Sequence, residues 1–373
     1  MQFTISSAEL KEQLQIINGA IGVNPVLPIL EDFLFKIEDD ILTIVATDLE
    51  TFISSQIKIE VTEGGKIAVP AKILVETLKQ LPTQPVNFAV DNESFNITIN
   101  SAFGQYELAG EDGGDYPKLP EPNVTDQIEV PSILLLEGIN KTLFATSNDE
   151  LRPAMTGVLL HLNEKGVTFV STDAHKMVKY NFSSISTSTN ASLVLPKKAL
   201  NLLKNALVNT TGNVKISFSK TNAFFYFEEL TLCCRLIDAR YPEYNAVIPA
   251  ESPLVMKIVR QDFLNSLKRI VNFANKTTNQ VKLQITENRL VIEAEDLDFS
   301  NKGREFIPCQ FNGEDMIMGF NAKFLIDMLG VIGGDNVRFM FSAPNRPGIL
   351  KPEEDLEGED LLMLVMPVII SSN

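Results

Sequence analysis

Tryptophan is absent from this chain, and histidine occurs only at His161 and His175. Few side chains are therefore left that titrate near neutrality, which narrows the routes to acid–base catalysis. Cysteine is scarce as well, at Cys233, Cys234 and Cys309. Adjacent cysteines such as the first two rarely pair with each other, so no disulfide framework is implied and a reducing cytosol is expected. There is no glycine-rich phosphate loop, Walker motif or Cys/His metal spacing, and neither cofactor nor metal is expected. The start, Met1-Gln-Phe-Thr-Ile-Ser-Ser7, has no basic n-region and no apolar h-region, and no apolar run approaches a membrane span. A soluble, cytoplasmic protein without a membrane partner is the expectation.

What the chain does have is negative charge and apolar bulk. A net charge of −16 excludes a protein that coats nucleic acid over its whole surface, but not one with a local basic patch. With 45% hydrophobic residues, 373 positions suit two or three separately cored units.

A repeat decides between two and three. The stretch from Gly166 to Tyr180 reads as a strand, a polar corner at Ser171 to His175, and a second strand. Ile41 to Ser54 and Arg289 to Ser300 restate it, with Asp48, Asp173 and Asp296 spaced by 125 and 123 positions. Around each corner the same plan recurs. A first helix is predicted at 7–18, 131–145 and 260–271, with Ser7 as an N-cap, and a second at 70–81, 195–207 and 320–329. Proline leads the second helix in the first two copies, where its missing N–H costs nothing. Lys72, Lys198 and Lys323 stand 126 and 125 apart, and Tyr241-Pro242 follows Tyr116-Pro117 by 125. Alternating strands fill the intervals, and Gly/Pro-rich segments end the first two copies. The period is too long for a solenoid, so three tandem α+β units are expected, bounded at 1–122, 123–252 and 253–373.

Asp173 and His175 do not make a catalytic pair. Both would face the same way on a continuous strand, and no nucleophile with a third partner accompanies them. His161 lies in an alternating strand and reads as structural.

The ordered set Leu27-Pro-Ile-Leu30, Ala46-Thr-Asp-Leu-Glu50, Asp115-Tyr-Pro117, Ser171-Thr-Asp-Ala-His175, Asp238-Ala-Arg-Tyr-Pro-Glu-Tyr244, Gly319-Phe-Asn321 and Val365-Met-Pro367 resembles the bacterial DNA polymerase III beta subunits, the sliding clamps, along the whole chain. The resemblance implies three clamp domains, each with two helices packed on antiparallel sheet. It implies a head-to-tail homodimeric ring around duplex DNA, held without sequence specificity. It also implies a non-enzymatic processivity subunit, with ATP hydrolysis left to a separate loader. Partners would be the polymerase III alpha subunit, the clamp loader and other proteins with clamp-binding motifs.

Residues carry over as follows. A hydrophobic cleft for partner peptides would use Met155, Thr172, Ala174, His175, Lys176, Met177, Pro242, Val247, Leu364, Val365, Met366 and Pro367. The dimer interface would use Tyr106, Leu108 and Phe273. Asn24 stands where the family often has a basic residue, and Ala246 and Ile369 where it often has arginine, so DNA and peptide preferences can differ at those points. Pliable methionine beside rigid proline and valine suits a surface used by many ligands, although Leu364 to Pro367 also reads as an ordinary core strand.

Charge placement is an independent check. The six helical segments, with the fifth counted through Lys276, together carry about +6 against −16 for the chain, leaving roughly −22 elsewhere. The DNA-facing candidates are Lys72, Arg152, Lys197, Lys198, Lys204, Arg260, Lys268 and Arg269, which would meet phosphates. Lysine on a helix is otherwise just a solvated face. The competing function is a cytosolic peptide-binding scaffold without a DNA role. No role is evident for the acidic loop 351–360.

Overall fold

The structure, a computed structural model, describes residues 1–121, 126–185 and 187–370. It divides into two compact units. One takes in residues 1–136 and 195–236, the other 137–194 and 237 onward. The division cuts across the sequence repeat, and strand pairing is the reason.

Six α-helices occur among the described residues: α1 Ser7–Ile17, α2 Ala71–Gln80, α3 Ser132–Thr142, α4 Lys197–Leu207, α5 Arg260–Ile270 and α6 Ala322–Val331. None is long and apolar enough to cross a membrane. Each repeat copy holds two, as its periodicity predicts. In α2, Ala71, Leu74, Val75 and Leu78 are buried at i, i+3, i+4 and i+7, while Lys72, Glu76 and Lys79 stay outside. After the first helix of each copy comes a three-residue 3-10 turn, at Asn18–Ala20, Leu143–Ala145 and Val271–Phe273.

Several helix starts differ from the sequence expectation. Pro70 and Pro196 end strands and occupy the cap position, one residue before the helix. In the third copy Asn321 takes that place, and its side-chain oxygen accepts from the Lys323 N–H at 3.0 Å. Ser7 is a helical residue, and Ser6 precedes it as the cap. The buried Ser7 hydroxyl instead donates to the Pro82 carbonyl at 2.9 Å and accepts from the Gln84 N–H at 3.1 Å, tying α1 to the loop after α2.

In the first unit a nine-stranded sheet runs in the order Glu111–Asp112, Gly65–Pro70, Asp32–Glu38, Ile41–Thr47, Thr51–Lys58, Leu230–Arg235, Asn222–Phe227, Asn213–Phe218, Asp126–Pro131. A five-stranded sheet ends at the edge strand Gly104–Ala109. In the second unit another nine-stranded sheet joins Gly157–Asn163, Gly166–Thr172 and Lys176–Phe182 to Glu359–Val365 and the strands beyond it. A four-stranded sheet ends at Asn301–Pro308. Thus Thr51–Lys58 of the first copy pairs antiparallel with Leu230–Arg235 of the second. Lys176–Phe182 of the second pairs the same way with Glu359–Val365 of the third. Each nine-stranded sheet is two copies fused edge to edge.

The Tyr-Pro segments return over the outer face of their own copy's sheet. Tyr116 donates its hydroxyl to the Asp32 carbonyl at 3.1 Å, and Tyr241 to the Val170 carbonyl at 3.3 Å. Beneath Tyr116, burial together with the carboxylates of Glu111 and Glu31 pushes Asp32 up to about 6. The folded state therefore holds this proton more tightly than the unfolded chain, and stability falls as pH rises from about 4 through 6. Asp32→Asn is expected to be nearly neutral at pH 4 and stabilising by up to about 3 kcal/mol at pH 8. Urea unfolding across that range measures it.

Candidate functional site

The corner at Thr172–Lys176 is built by two side chains that satisfy the backbone they interrupt. The Thr172 hydroxyl donates to the Lys176 carbonyl at 2.8 Å and accepts from the Ala174 N–H at 3.1 Å. Asp173 Oδ1 accepts from the N–H groups of His175 and Lys176 at 2.9 and 2.8 Å. Ala174 sits at φ +75°, in the left-handed region. The first copy repeats this: Thr47 accepts from the Leu49 N–H, Asp48 Oδ1 accepts from Glu50 and Thr51, and Leu49 has φ +78°. The remaining carboxylate oxygen takes a lysine in each copy, but a different one. Asp173 Oδ2 holds Lys176 of its own corner at 2.6 Å, whereas Asp48 Oδ2 holds Lys198 of α4 at 2.6 Å. Both oxygens of Asp173 are committed to structure. The third corner departs: Asp296 is itself paired across the strands, with Asn301, whereas Asp48 and Asp173 lie beyond the last pairs, Thr47–Phe52 and Thr172–Met177.

Beside the second corner lies the apolar cluster around which the expected cleft residues gather. Gly166–Thr172 is buried along its whole length. One face packs under α3, where the Ser171 hydroxyl donates to the Thr142 carbonyl at 2.6 Å. There Gly138 is required, because a Cβ would meet the Phe169 ring at 2.5 Å. The opposite face carries Val170, which clusters with Leu159, Met177, Val194 and Leu364. Met177 and Leu364 are direct partners across the strand pair. Ile237, Tyr241, Tyr244, Ile248 and Leu362 pack against this floor.

The expected cleft residues sort by depth. Thr172, Lys176, Met177, Leu364 and Val365 are buried, and Met155, Pro242 and Pro367 half-buried. Ala174, His175, Val247 and Met366 form the exposed rim. Lys176 is a strut, its ammonium lying between Asp173 and the Phe324 ring, 4.3 Å from the ring centroid. His175 also stacks against this ring, with centroids 6.4 Å apart. Its carbonyl accepts from the Met366 N–H at 2.8 Å. His161 contacts the Tyr244 hydroxyl at 3.2 Å. Ala246 and Ile369 are exposed, the latter 92%.

Sequence reasoning misses Leu159, Val170, Val194, Ile237, Tyr244, Ile248 and Leu362. A signal for the floor exists. Val158-Leu-Leu160 and Leu361-Leu-Met-Leu-Val365 are unbroken apolar runs, which need cover on both faces, while helices cover only one.

The basic candidates divide by what already holds them. Lys198 also donates to the Ala20 carbonyl at 2.7 Å. Arg152 is paired with Asp149 at 2.9 Å. Arg260 donates to the carbonyls of Gly334 and Leu329. Arg269 forms a fork with Glu305 at 2.8 and 2.6 Å, which raises the arginine and lowers the carboxyl from their ordinary values. Lys197 is half-buried. Among the described residues, the ammonium groups of Lys72, Lys204 and Lys268 carry no hydrogen bond or ion pair, and Lys72 and Lys268 are exposed.

Tyr106 lines a depression of about 530 Å³ with Ile73, Leu81, Pro82 and Phe103, and Leu108 is buried beside it. Phe273 is 42% exposed, at a turn position where the other copies have Ala20 and Ala145. The acidic loop is stapled by cations: Lys351 holds Asp360 at 2.7 Å, Lys257 holds Glu353 at 3.3 Å and Arg338 holds Asp355 at 3.2 Å.

Family profiles described as DNA polymerase III beta subunit match in order: the N-terminal domain over residues 1–120, the central domain over 129–243 and the C-terminal domain over 245–368. The chain is 27% identical to the beta sliding clamp of Synechococcus elongatus over 379 residues, covering all of both chains. It is 27% identical to that of Bacillus subtilis, covering 99% of each. Among solved structures, the B. subtilis DNA polymerase sliding clamp superposes with a TM-score of 0.93 at 27% identity, covering 100% of both. A Pseudomonas aeruginosa sliding clamp bound to griselimycin superposes with a TM-score of 0.93 at 25% identity, covering 99% of this chain and 100% of that one.

Removing the Asp173 carboxylate leaves two N–H groups and a buried ammonium without their acceptor. Asp173→Ala is expected to cost about 2–4 kcal/mol of unfolding free energy. Asp48→Ala should cost less, because Lys198 is better solvated. Urea denaturation of both variants compares them.

Proposed function

The chain belongs to the DNA polymerase III beta subunit family, the sliding clamps of DNA replication, and we propose that it acts as a head-to-tail homodimeric ring around duplex DNA. The observation that carries this reading is the repeated copy junction. The strand after the corner of copy one pairs with the last strand of copy two, and that of copy two with the last strand of copy three. The corresponding strand of copy three, Asn301–Pro308, and the last strand of copy one, Gly104–Ala109, are both terminal strands of their sheets. A second chain would supply the missing partner for each, which gives two otherwise hazardous edges a purpose. The exposed Phe273 and the depression beside Tyr106 and Leu108 fit as knob and hole. Domain limits at 1–122, 123–252 and 253–373 are part of this proposal.

The mechanism is topological. Encirclement raises a partner's effective concentration at its DNA terminus, while each contact to phosphate stays weak enough to slide. Lys72, Lys204 and Lys268 are the cations best placed to make such contacts, since no internal acceptor holds them. The cleft floored by Met177 and Leu364 would take extended peptides from the polymerase alpha subunit, the clamp loader and other clamp-binding proteins, which anchor by a few apolar side chains. No catalytic step is assigned to the chain. The acid–base pair that sequence proximity offers, Asp173 and His175, is engaged in the corner and against Phe324. The site of action is the cytoplasm.

The direct test is retention on DNA. The loaded protein should remain on nicked circular DNA and run off when that DNA is cut. Equal retention on both would favour a scaffold without a DNA role. Leu108→Lys with Phe273→Asp should convert the protein to monomers in sedimentation, and a persistent dimer would remove these residues from the interface. Replacing Lys72, Lys204 and Lys268 by glutamine should reduce the salt dependence of DNA retention, with the log–log slope falling by roughly one per lysine.

A further inference from the structure

The Asp32 carboxylate lowers the stability of the folded chain above its own titration and satisfies nothing inside it. The residue is 8% exposed, yet among the described residues no N–H, hydroxyl or cation bonds either of its side-chain oxygens. Only its backbone is engaged, with the carbonyl accepting from the Tyr116 hydroxyl. Nor does the repeat require an acid at this place. In the second copy the matching 3-10 turn, Pro153–Thr156 in place of Pro28–Glu31, leads into a strand that starts with Gly157. The oxygens are not sealed in. Among the described residues the side-chain atom that is both enclosed and unpartnered is Ser252 Oγ, so the Asp32 oxygens keep an opening to solvent.

Asp32 lines a depression of about 330 Å³ together with Glu31, Pro70, Ala71, Ile73 and Glu76. Glu31 is exposed and makes no ion pair, and Glu76 is held by Lys79 at 2.8 Å. Glu111, on the strand paired with Gly65–Pro70, adds its negative charge to the field at Asp32. Lys72 also lines the depression, but it is exposed and makes no ion pair with these carboxylates. A buried carboxylate without a partner, opening on a hollow with further carboxylates and apolar walls, matches a cation carried on an apolar stem. No group of three or more acidic, histidine or cysteine side chains among the described residues is placed to hold a metal ion. We propose that this depression binds an ammonium or guanidinium group on a short aliphatic stem, with Asp32 as the counter-ion, Glu31 and Glu76 beside it, and the stem along Pro70, Ala71 and Ile73.

Isothermal titration of the full chain at fixed ionic strength tests it with two probes, agmatine and a short capped alanine peptide bearing one arginine. At pH 8 a saturable one-site isotherm is expected. Binding of both probes assigns a cation borne on a protein chain, and binding of agmatine alone assigns a free amine. Asp32→Asn folds more stably by the argument from its titration, and should weaken binding at least about tenfold. Because burial, Glu111 and Glu31 hold the Asp32 carboxyl at about 6, the parent should also bind about tenfold more weakly at pH 5 than at pH 8, and Asp32→Asn should lose that pH dependence. Failure of both probes to bind overturns the proposal. So does binding that Asp32→Asn leaves within about twofold of the parent, or that is equal at pH 5 and pH 8.

Discussion

Antiparallel pairing between the strand that leaves one copy's corner and the last strand of the next is the contact on which the rest depends. A strand edge presents a row of unmet N–H and C=O groups, and satisfying it with another copy of the same unit fuses small sheets into large ones. Two such fusions, Thr51–Lys58 with Leu230–Arg235 and Lys176–Phe182 with Glu359–Val365, explain why the compact units cut across the repeat. The Thr-Asp corner fixes where each fusing strand begins. By accepting from the N–H groups on the far side of the turn, Asp48 and Asp173 pin the first paired residue, and with it the register.

On this shared frame the three copies carry different surfaces. In the first, Asp48 draws in Lys198 from the next copy's helix, locking that junction. In the second, Lys176 satisfies Asp173 from within the corner and is roofed by Phe324, leaving Ala174 and His175 at the rim of an apolar floor. In the third, the equivalent outer face is ionic. Glu293 holds both Lys282 and Arg304, at 3.3 and 2.9 Å, where the second copy has Leu159 and Val170 in cross-strand contact. The peptide cleft proposed at the second corner would need no special fold, only apolar side chains at positions the other copies spend on different bonds.

Much of this is legible in the sequence, for a physical reason. The repeat shows because the corner and the helix starts each demand particular residue types, so Asp48 and Asp173, or Pro70 and Pro196, recur at fixed spacing. Helices and strands show because amphipathic periodicity records which face is covered. Other features depend on long-range contact and leave no local trace. Ser7 looks like a cap, yet its hydroxyl is claimed by Pro82 and Gln84, more than seventy residues away. Lys198, Arg260 and Arg269 look like free cations until their partners Asp48, Leu329 and Glu305 are in place. Charge counted along helices therefore overstates what is available to phosphate, and Lys72, Lys204 and Lys268 emerge only by subtraction.

The central claim is that one junction geometry is used within the chain twice and between chains twice more. Single-particle imaging of the purified protein at micromolar concentration tests it most directly. The account predicts closed rings of six similar lobes, with strand pairing continuous through the two inter-chain boundaries. Particles of three lobes with both terminal strands unpaired, or closed assemblies of any other lobe number, would contradict it.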